Sequence, residues 1–169
     1  MNQTTTDHVP FSAETQGQFA REVAKFPAAH AQSAVMACLS IIQNERGWIS
    51  HAAEAELAAY LGMAPIAVAE VTTFYNMYNQ QPVGKFKLNV CTNLPCQLRD
   101  GQAALAHVCR KLDVAVGGTT ADGQFTVQQS ECLGACADAP VMLVNDREMI
   151  SFMSNERIDD LLATLAQAK

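Results

Sequence analysis

"FKLNVCTNLPCQLR", residues 86–99, decides how this chain is read. Its first six residues alternate apolar and polar, which is the period of a strand. A cysteine closes that run and a second follows in C-x4-C, with Pro95 favouring a bend between them. Downstream, Leu105, Val108, Cys109 and Leu112 keep helical spacing. The stretch therefore reads as strand, loop and helix, with Cys91 ending the strand and Cys96 just ahead of the helix. "QFTVQQSECLGAC", residues 124–136, repeats the arrangement. An alternating strand leads into Cys132 and Cys136, in C-x3-C, with Gly134 between them to allow a positive φ. Both pairs fall in loops beyond strand ends, where α/β units commonly carry their sites. If the two strands are neighbours, the four thiols meet.

The rest of the chain is organised around this half. From 12 to 78 every periodic segment is helical. Phe19, Val23 and Phe26 recur at helical spacing up to Pro27, and Ala31, Ala34, Val35, Cys38, Ile41 and Ile42 form one continuous stripe that Gly47 ends. Ser50 caps a third helix that Gly62 ends, and Pro65 suits the first turn of a fourth, carrying Val68, Val71, Phe74, Tyr75 and Tyr78. Residues 1–11 read as a flexible N-terminus and 79–85 as a linker. In the second half, "VMLVND" and "EMISFM" read as a hairpin around Asn145-Asp146, Gly117-Gly118 as a turn, and Ser154 as the cap of a last helix through Ile158, Leu161, Leu162 and Leu165. The expected fold is α+β: a helical bundle over 12–78, then a small α/β domain over 86–169.

Composition narrows the function. The chain has 169 residues, 49% of them hydrophobic, and a net charge of -6. No run of Lys or Arg is present, which argues against nucleic acid or an anionic membrane as the main partner. The N-terminal "MNQTTTDHVP" does not read as a secretory signal, and no apolar stretch has the length of a membrane span. The chain reads as cytoplasmic, without direct membrane insertion. In a reducing compartment paired cysteines are metal ligands or redox groups more often than disulfides.

Four thiols leave three readings. Two disulfides are disfavoured by compartment. A thiol-exchange site favours C-x2-C at a helix N-terminus, and neither pair has that spacing. Zinc tolerates both spacings and would make the chain a zinc-stabilised interaction module. Four thiolates equally suit a [2Fe–2S] cluster. Cys38 and Cys109 sit on apolar helical stripes and read as core residues. The histidines at 8, 30, 51 and 107 show no ligand spacing and read as surface or cap residues.

Asp122, Phe125, Thr126, Cys132, Leu133, Gly134, Cys136, Ala139 and Pro140 together form a spaced signature. With "VCTNLPCQLR", "ERGWIS" (45–50) and "TTFYNMY" (72–78), it resembles the 24 kDa-type [2Fe–2S] subunit family of bacterial NADH:quinone oxidoreductase, complex I. The resemblance covers about 15–165. It implies a thioredoxin-like ferredoxin domain after the helical bundle, and one [2Fe–2S] cluster held by Cys91, Cys96, Cys132 and Cys136. The chain would then be a one-electron carrier with no catalytic residue of its own. FMN and NAD are expected only on a partner, because no Gly-rich phosphate loop is present. The implied partners are the flavin/NADH-binding subunit and other peripheral-arm subunits, with attachment to the inner membrane only through the complex. An equivalent diaphorase subunit of an NAD-linked formate dehydrogenase or hydrogenase is the alternative assembly. Ferredoxin-type centres of this kind sit near about −400 mV, tuned by hydrogen bonds to sulfur. The loop amides of 92–94 and 133–135 are the candidate donors. Pro140 occupies a position like that of the cis proline of thioredoxin-like folds, and the sequence leaves its isomer open. Phe74, Tyr75 and Tyr78 suit either an interface or the bundle core.

Overall fold

A computed structural model describes residues 10–168, so the expectation of a flexible N-terminus falls mostly outside the described residues. The described residues divide into two compact units that meet in sequence between Pro82 and Val83.

In the first unit, four helices form: α1 (Ala13–Val23), α2 (Val35–Arg46), α3 (His51–Leu61) and α4 (Pro65–Phe74). Local chemistry sets their ends. Ser12 and Ser50 accept the N–H groups of Thr15 and Ala53, while Gly47 and Gly62 take the left-handed conformation at φ 80° and 66°. Phe19, Cys38, Leu39, Ile42, Leu57 and Val68 are fully enclosed in the core. Phe11, placed by sequence in the N-terminal tail, is buried edge-on against Phe19 with its N–H on Glu56. The expected continuous second helix is two pieces: a 3-10 segment, Ala28–Ala34, precedes α2. No side chain caps α2, and the tighter turn before it supplies partners for its first amides. The fourth helix stops at Phe74, so Tyr75 and Tyr78 are not on it. Tyr78 is a core residue whose hydroxyl donates to the Met36 carbonyl at 2.9 Å, whereas Phe74 is 79% exposed. Glu54, nearly buried, accepts from Thr72 and contacts His51, joining α3 to α4.

The second unit is built on a four-stranded mixed sheet of order β2-β1-β3-β4: β1 (Phe86–Cys91), β2 (Phe125–Ser130), β3 (Met142–Val144) and β4 (Glu148–Ile150). Helices α5 (Leu94–Gln97), α6 (Gly101–Leu112) and α7 (Asn155–Gln167) complete it. β1 runs parallel to β2, with Phe86 opposite Phe125 and Cys91 opposite Ser130, and antiparallel to β3. Leu88, Val90, Val127 and Met142 share a core with Leu105 and Val108 of α6 and Ile158 of α7. Asn145 and Asp146 turn the β3–β4 hairpin at φ 51° and 55°. Ser154 caps α7 by accepting from Arg157. No helix among the described residues is long and apolar enough to cross a membrane.

The alternating residues of β1 form the expected strand, and all six of them are buried, Lys87 and Asn89 included. β1 has a neighbour on each edge, and its polar face is covered by the hairpin turn. Lys87 Nζ lies 2.5 Å from Asp146 Oδ2, and Asn89 donates to Asp146 Oδ1 at 2.7 Å. The backbone of Lys87 exchanges hydrogen bonds with Asn145. This pairing pins the hairpin beside β1. Removing one partner of a buried ion pair typically costs about 3–5 kcal/mol; since Asp146 is partly exposed, Asp146→Ala is expected to lose about 2–3 kcal/mol in urea unfolding, and Asp146→Asn less. A loss below about 0.5 kcal/mol, the range of ordinary surface substitutions, would show the pair to be incidental.

Candidate metal centre

Parallel pairing brings the carboxyl ends of β1 and β2 to the same end of the sheet, and the four predicted cysteines follow from there. Cys91 is the last residue of β1, with its N–H on the Val141 carbonyl at 3.1 Å. Cys96 is not merely ahead of a helix: it lies within α5, a single turn with Pro95 in its first positions. Cys132 follows the end of β2, and Cys136 opens a short 3-10 segment, Cys136–Asp138. The loops are tied across. Asn93 donates to Glu131 at 2.7 Å, Gln129 to Thr92 at 2.8 Å, and the Thr92 N–H to the Ser130 carbonyl at 3.1 Å.

The thiols are not equivalent. Cys91 and Cys96 are 2% and 1% exposed, packed with Ala139 and Val141 and partly covered by Leu133 and Ala135. Cys132 and Cys136 are exposed, with sulfurs 3.4 Å apart. All six cysteines are free thiols. Burial pushes the Cys96 thiol up, the Val141 N–H draws it down, and Cys91 raises it again. The Cys132 thiol is held low, first by the Gly134 N–H at 3.4 Å and then by the Cys136 thiol. Cys136 is correspondingly raised, chiefly because it shares its proton with Cys132. As the two are in contact, they titrate as a pair. Of the amides expected to face sulfur, Gly134 does so, while Thr92 is used in the sheet and Val141, not anticipated, supplies the donor at Cys96.

Cys38 and Cys109 lie apart from this cluster. Cys38 is enclosed in the helical core, which pushes its thiol up to about 11, and Cys109 packs against the second core. Among the described residues no three His, Cys, Asp or Glu side chains converge on the position of one metal ion. Cys132 and Cys136 are in contact, and Cys91 and Cys136 both raise the Cys96 thiol, so the four thiols lie close together. His107, expected at the surface, is nearly buried, bridging α6 and α7 through Asp159 at 2.7 Å. His51 contacts Glu54 in the first turn of α3, and His30 is exposed; His8 lies outside the described residues. The Ala139–Pro140 bond is cis.

Comparison with known proteins gives the relationship. The family model for the thioredoxin-like [2Fe-2S] ferredoxin matches residues 19–166. This chain belongs to that family. NADH-quinone oxidoreductase subunit 2 of Thermus thermophilus is 37% identical over 146 residues, covering 86% of this chain and 81% of the relative. An NADH-quinone oxidoreductase subunit of Rhizobium meliloti is 38% identical, with 82% of each chain covered. Among solved structures, an NAD+-reducing [NiFe]-hydrogenase in its H2-reduced state superposes with a TM-score of 0.66 at 25% identity. That match covers 78% of this chain but only 22% of the hydrogenase chain.

Gly101, beside the four cysteines, carries no signal in the sequence. A Cβ there would lie 2.8 Å from the Cys96 carbonyl oxygen and 2.9 Å from that of Cys91. Helix α6 begins against the backbone of both buried cysteines, and only glycine leaves room. Overpacking of this kind costs about 1–3 kcal/mol; Gly101→Ala is therefore expected to destabilise the chain by that amount in denaturant unfolding. Gly17, inside α1 with nothing within 4 Å, gives the contrast: Gly17→Ala is expected to stabilise by about 0.5–1 kcal/mol. Equal effects of the two substitutions would contradict the close approach.

Proposed function

We propose that this chain is the electron-carrying subunit of a multi-subunit, NADH-oxidising dehydrogenase, with Cys91, Cys96, Cys132 and Cys136 holding one [2Fe–2S] cluster. The observation that carries the reading is the gathering of four free thiols at the shared end of the parallel strands β1 and β2. Sulfur donors select zinc or iron–sulfur centres. A structural zinc ion would accept the same donors, but membership of the thioredoxin-like [2Fe-2S] ferredoxin family favours the cluster.

A [2Fe–2S] cluster supplies a one-electron relay. The chain's own residues provide its setting. The buried pair, packed with Ala139 and Val141, would hold the cluster where water is excluded. The Val141 and Gly134 N–H groups face the Cys96 and Cys132 sulfurs, where they stabilise thiolate charge. The exposed pair, Cys132 and Cys136, would hold the cluster at the surface, within reach of a partner. Nothing in the chain resembles a nucleotide-phosphate loop, so FMN and NAD are assigned to a partner subunit, and membrane association to the assembly.

Identity supports one assembly over the other. The quinone-oxidoreductase subunits match at 37–38% over most of both chains, and the hydrogenase at 25% over about a fifth of its own length. NADH:quinone oxidoreductase is accordingly the proposed assembly.

The test is ligand replacement on anaerobically purified chain. About two iron and two acid-labile sulfide per chain are expected for the parent. Cys91→Ser, Cys96→Ser, Cys132→Ser and Cys136→Ser should each lose most of both, while Cys38→Ser and Cys109→Ser keep both. One zinc and no sulfide in the parent, or loss at Cys38 or Cys109, would contradict the assignment.

A further inference from the structure

The exposed pair has a chemistry that the buried pair lacks. Cys132 and Cys136 are open to solvent with sulfurs 3.4 Å apart, whereas Cys91 and Cys96 are shielded. A disulfide requires an S–S separation of about 2.05 Å, so the two sulfurs need to approach by only about 1.4 Å. The intervening residues 133–135 lie outside any helix or strand. Gly134, at φ +81°, has open space around its Cβ position. The loop has room to close.

We propose that Cys132 and Cys136 are a redox modification site: while the site is unloaded they form a reversible disulfide that gates cluster loading. The gate rests on the four-thiolate reading above. The oxidant is a low-molecular-weight disulfide such as oxidised glutathione. The Cys132 thiolate, with the Gly134 N–H on its sulfur, attacks one glutathione sulfur, forming a mixed disulfide and expelling one glutathione thiolate. Cys136, on losing its proton, attacks the Cys132 sulfur and expels the second. Two protein thiols give up two electrons and two protons, and glutathione disulfide takes them as two glutathione thiols. A dithiol reductant reverses the exchange. Only thiolate sulfur ligates metal, so the oxidised chain keeps Cys91 and Cys96 alone. Those two stay reduced because an external disulfide has no approach to their sulfurs.

The experiment uses the full chain, stripped of iron under reducing conditions and then incubated anaerobically with oxidised glutathione. Free thiols are alkylated in denaturant and mapped by mass spectrometry. The expected result is four of the six cysteines alkylated, with Cys132 joined to Cys136. Cys136→Ser should stop at a glutathione adduct on Cys132. Oxidised chain should take up little iron and sulfide until dithiothreitol is added, whereas reduced chain takes up both. Six alkylated cysteines, a Cys91–Cys96 cross-link, or equal iron uptake by the two forms would overturn the gate. Failure of the reduced chain to take up iron overturns the cluster reading and the gate with it, a result separate from where the disulfide maps.

Discussion

The parallel pairing of β1 with β2 is the constraint from which the site follows. Antiparallel neighbours would send Cys91 and Cys132 to opposite ends of the sheet. Parallel neighbours send them to the same end, and the register with Cys91 opposite Ser130 sets both loops at one level. Pairing β1 on its other edge with β3 makes it central, which buries all six residues and forces its polar members to find partners. Lys87 and Asn89 find Asp146. That contact holds the hairpin, and the hairpin holds β3 in place. Val141, just ahead of β3, then has its carbonyl on the Cys91 N–H and its own N–H toward Cys96. A buried ion pair at one end of the strand thus supports the position of two sulfurs at the other.

The asymmetry of the thiols has a physical logic. Holding charged sulfur away from water is costly unless donors compensate. The inner pair is enclosed on the carbon framework of Ala139 and Val141, with a backbone donor supplied at Cys96. The outer pair remains in water, and one of its members is held low by the Gly134 N–H. An enclosed side gives a fixed anchor and a low dielectric, and an open side gives access for an incoming electron or an incoming metal. The same openness admits oxidants, which links the exposed pair's redox chemistry to the proposed carrier role.

Much of this was legible in the sequence because it depends on local chemistry. Helix ends at Ser50, Gly47, Gly62 and Ser154 follow from capping side chains and left-handed glycines, and the structure has each of them. The four cysteines were separable from Cys38 and Cys109 because helical periodicity places the latter two on apolar faces. What escaped depends on tertiary neighbours. Alternation in "FKLNVC" cannot show that a hairpin turn from fifty-odd residues on will cover Lys87. Gly101 looks like any helix-start glycine until the carbonyls of Cys91 and Cys96 lie against it. Tyr78 reads as a fourth-helix residue until the chain turns after Phe74 and returns its hydroxyl to Met36. His107 reads as surface until α7 brings Asp159 over it.

The central claim is that this end of the sheet carries a one-electron iron–sulfur centre. Electron paramagnetic resonance of the anaerobically isolated chain, before and after dithionite, tests it most directly. The account predicts no signal from the oxidised chain and, on reduction, a single spin-one-half signal of about one spin per two iron atoms, as for a [2Fe–2S] centre. A chain that gives no signal on reduction and holds no acid-labile sulfide would contradict it.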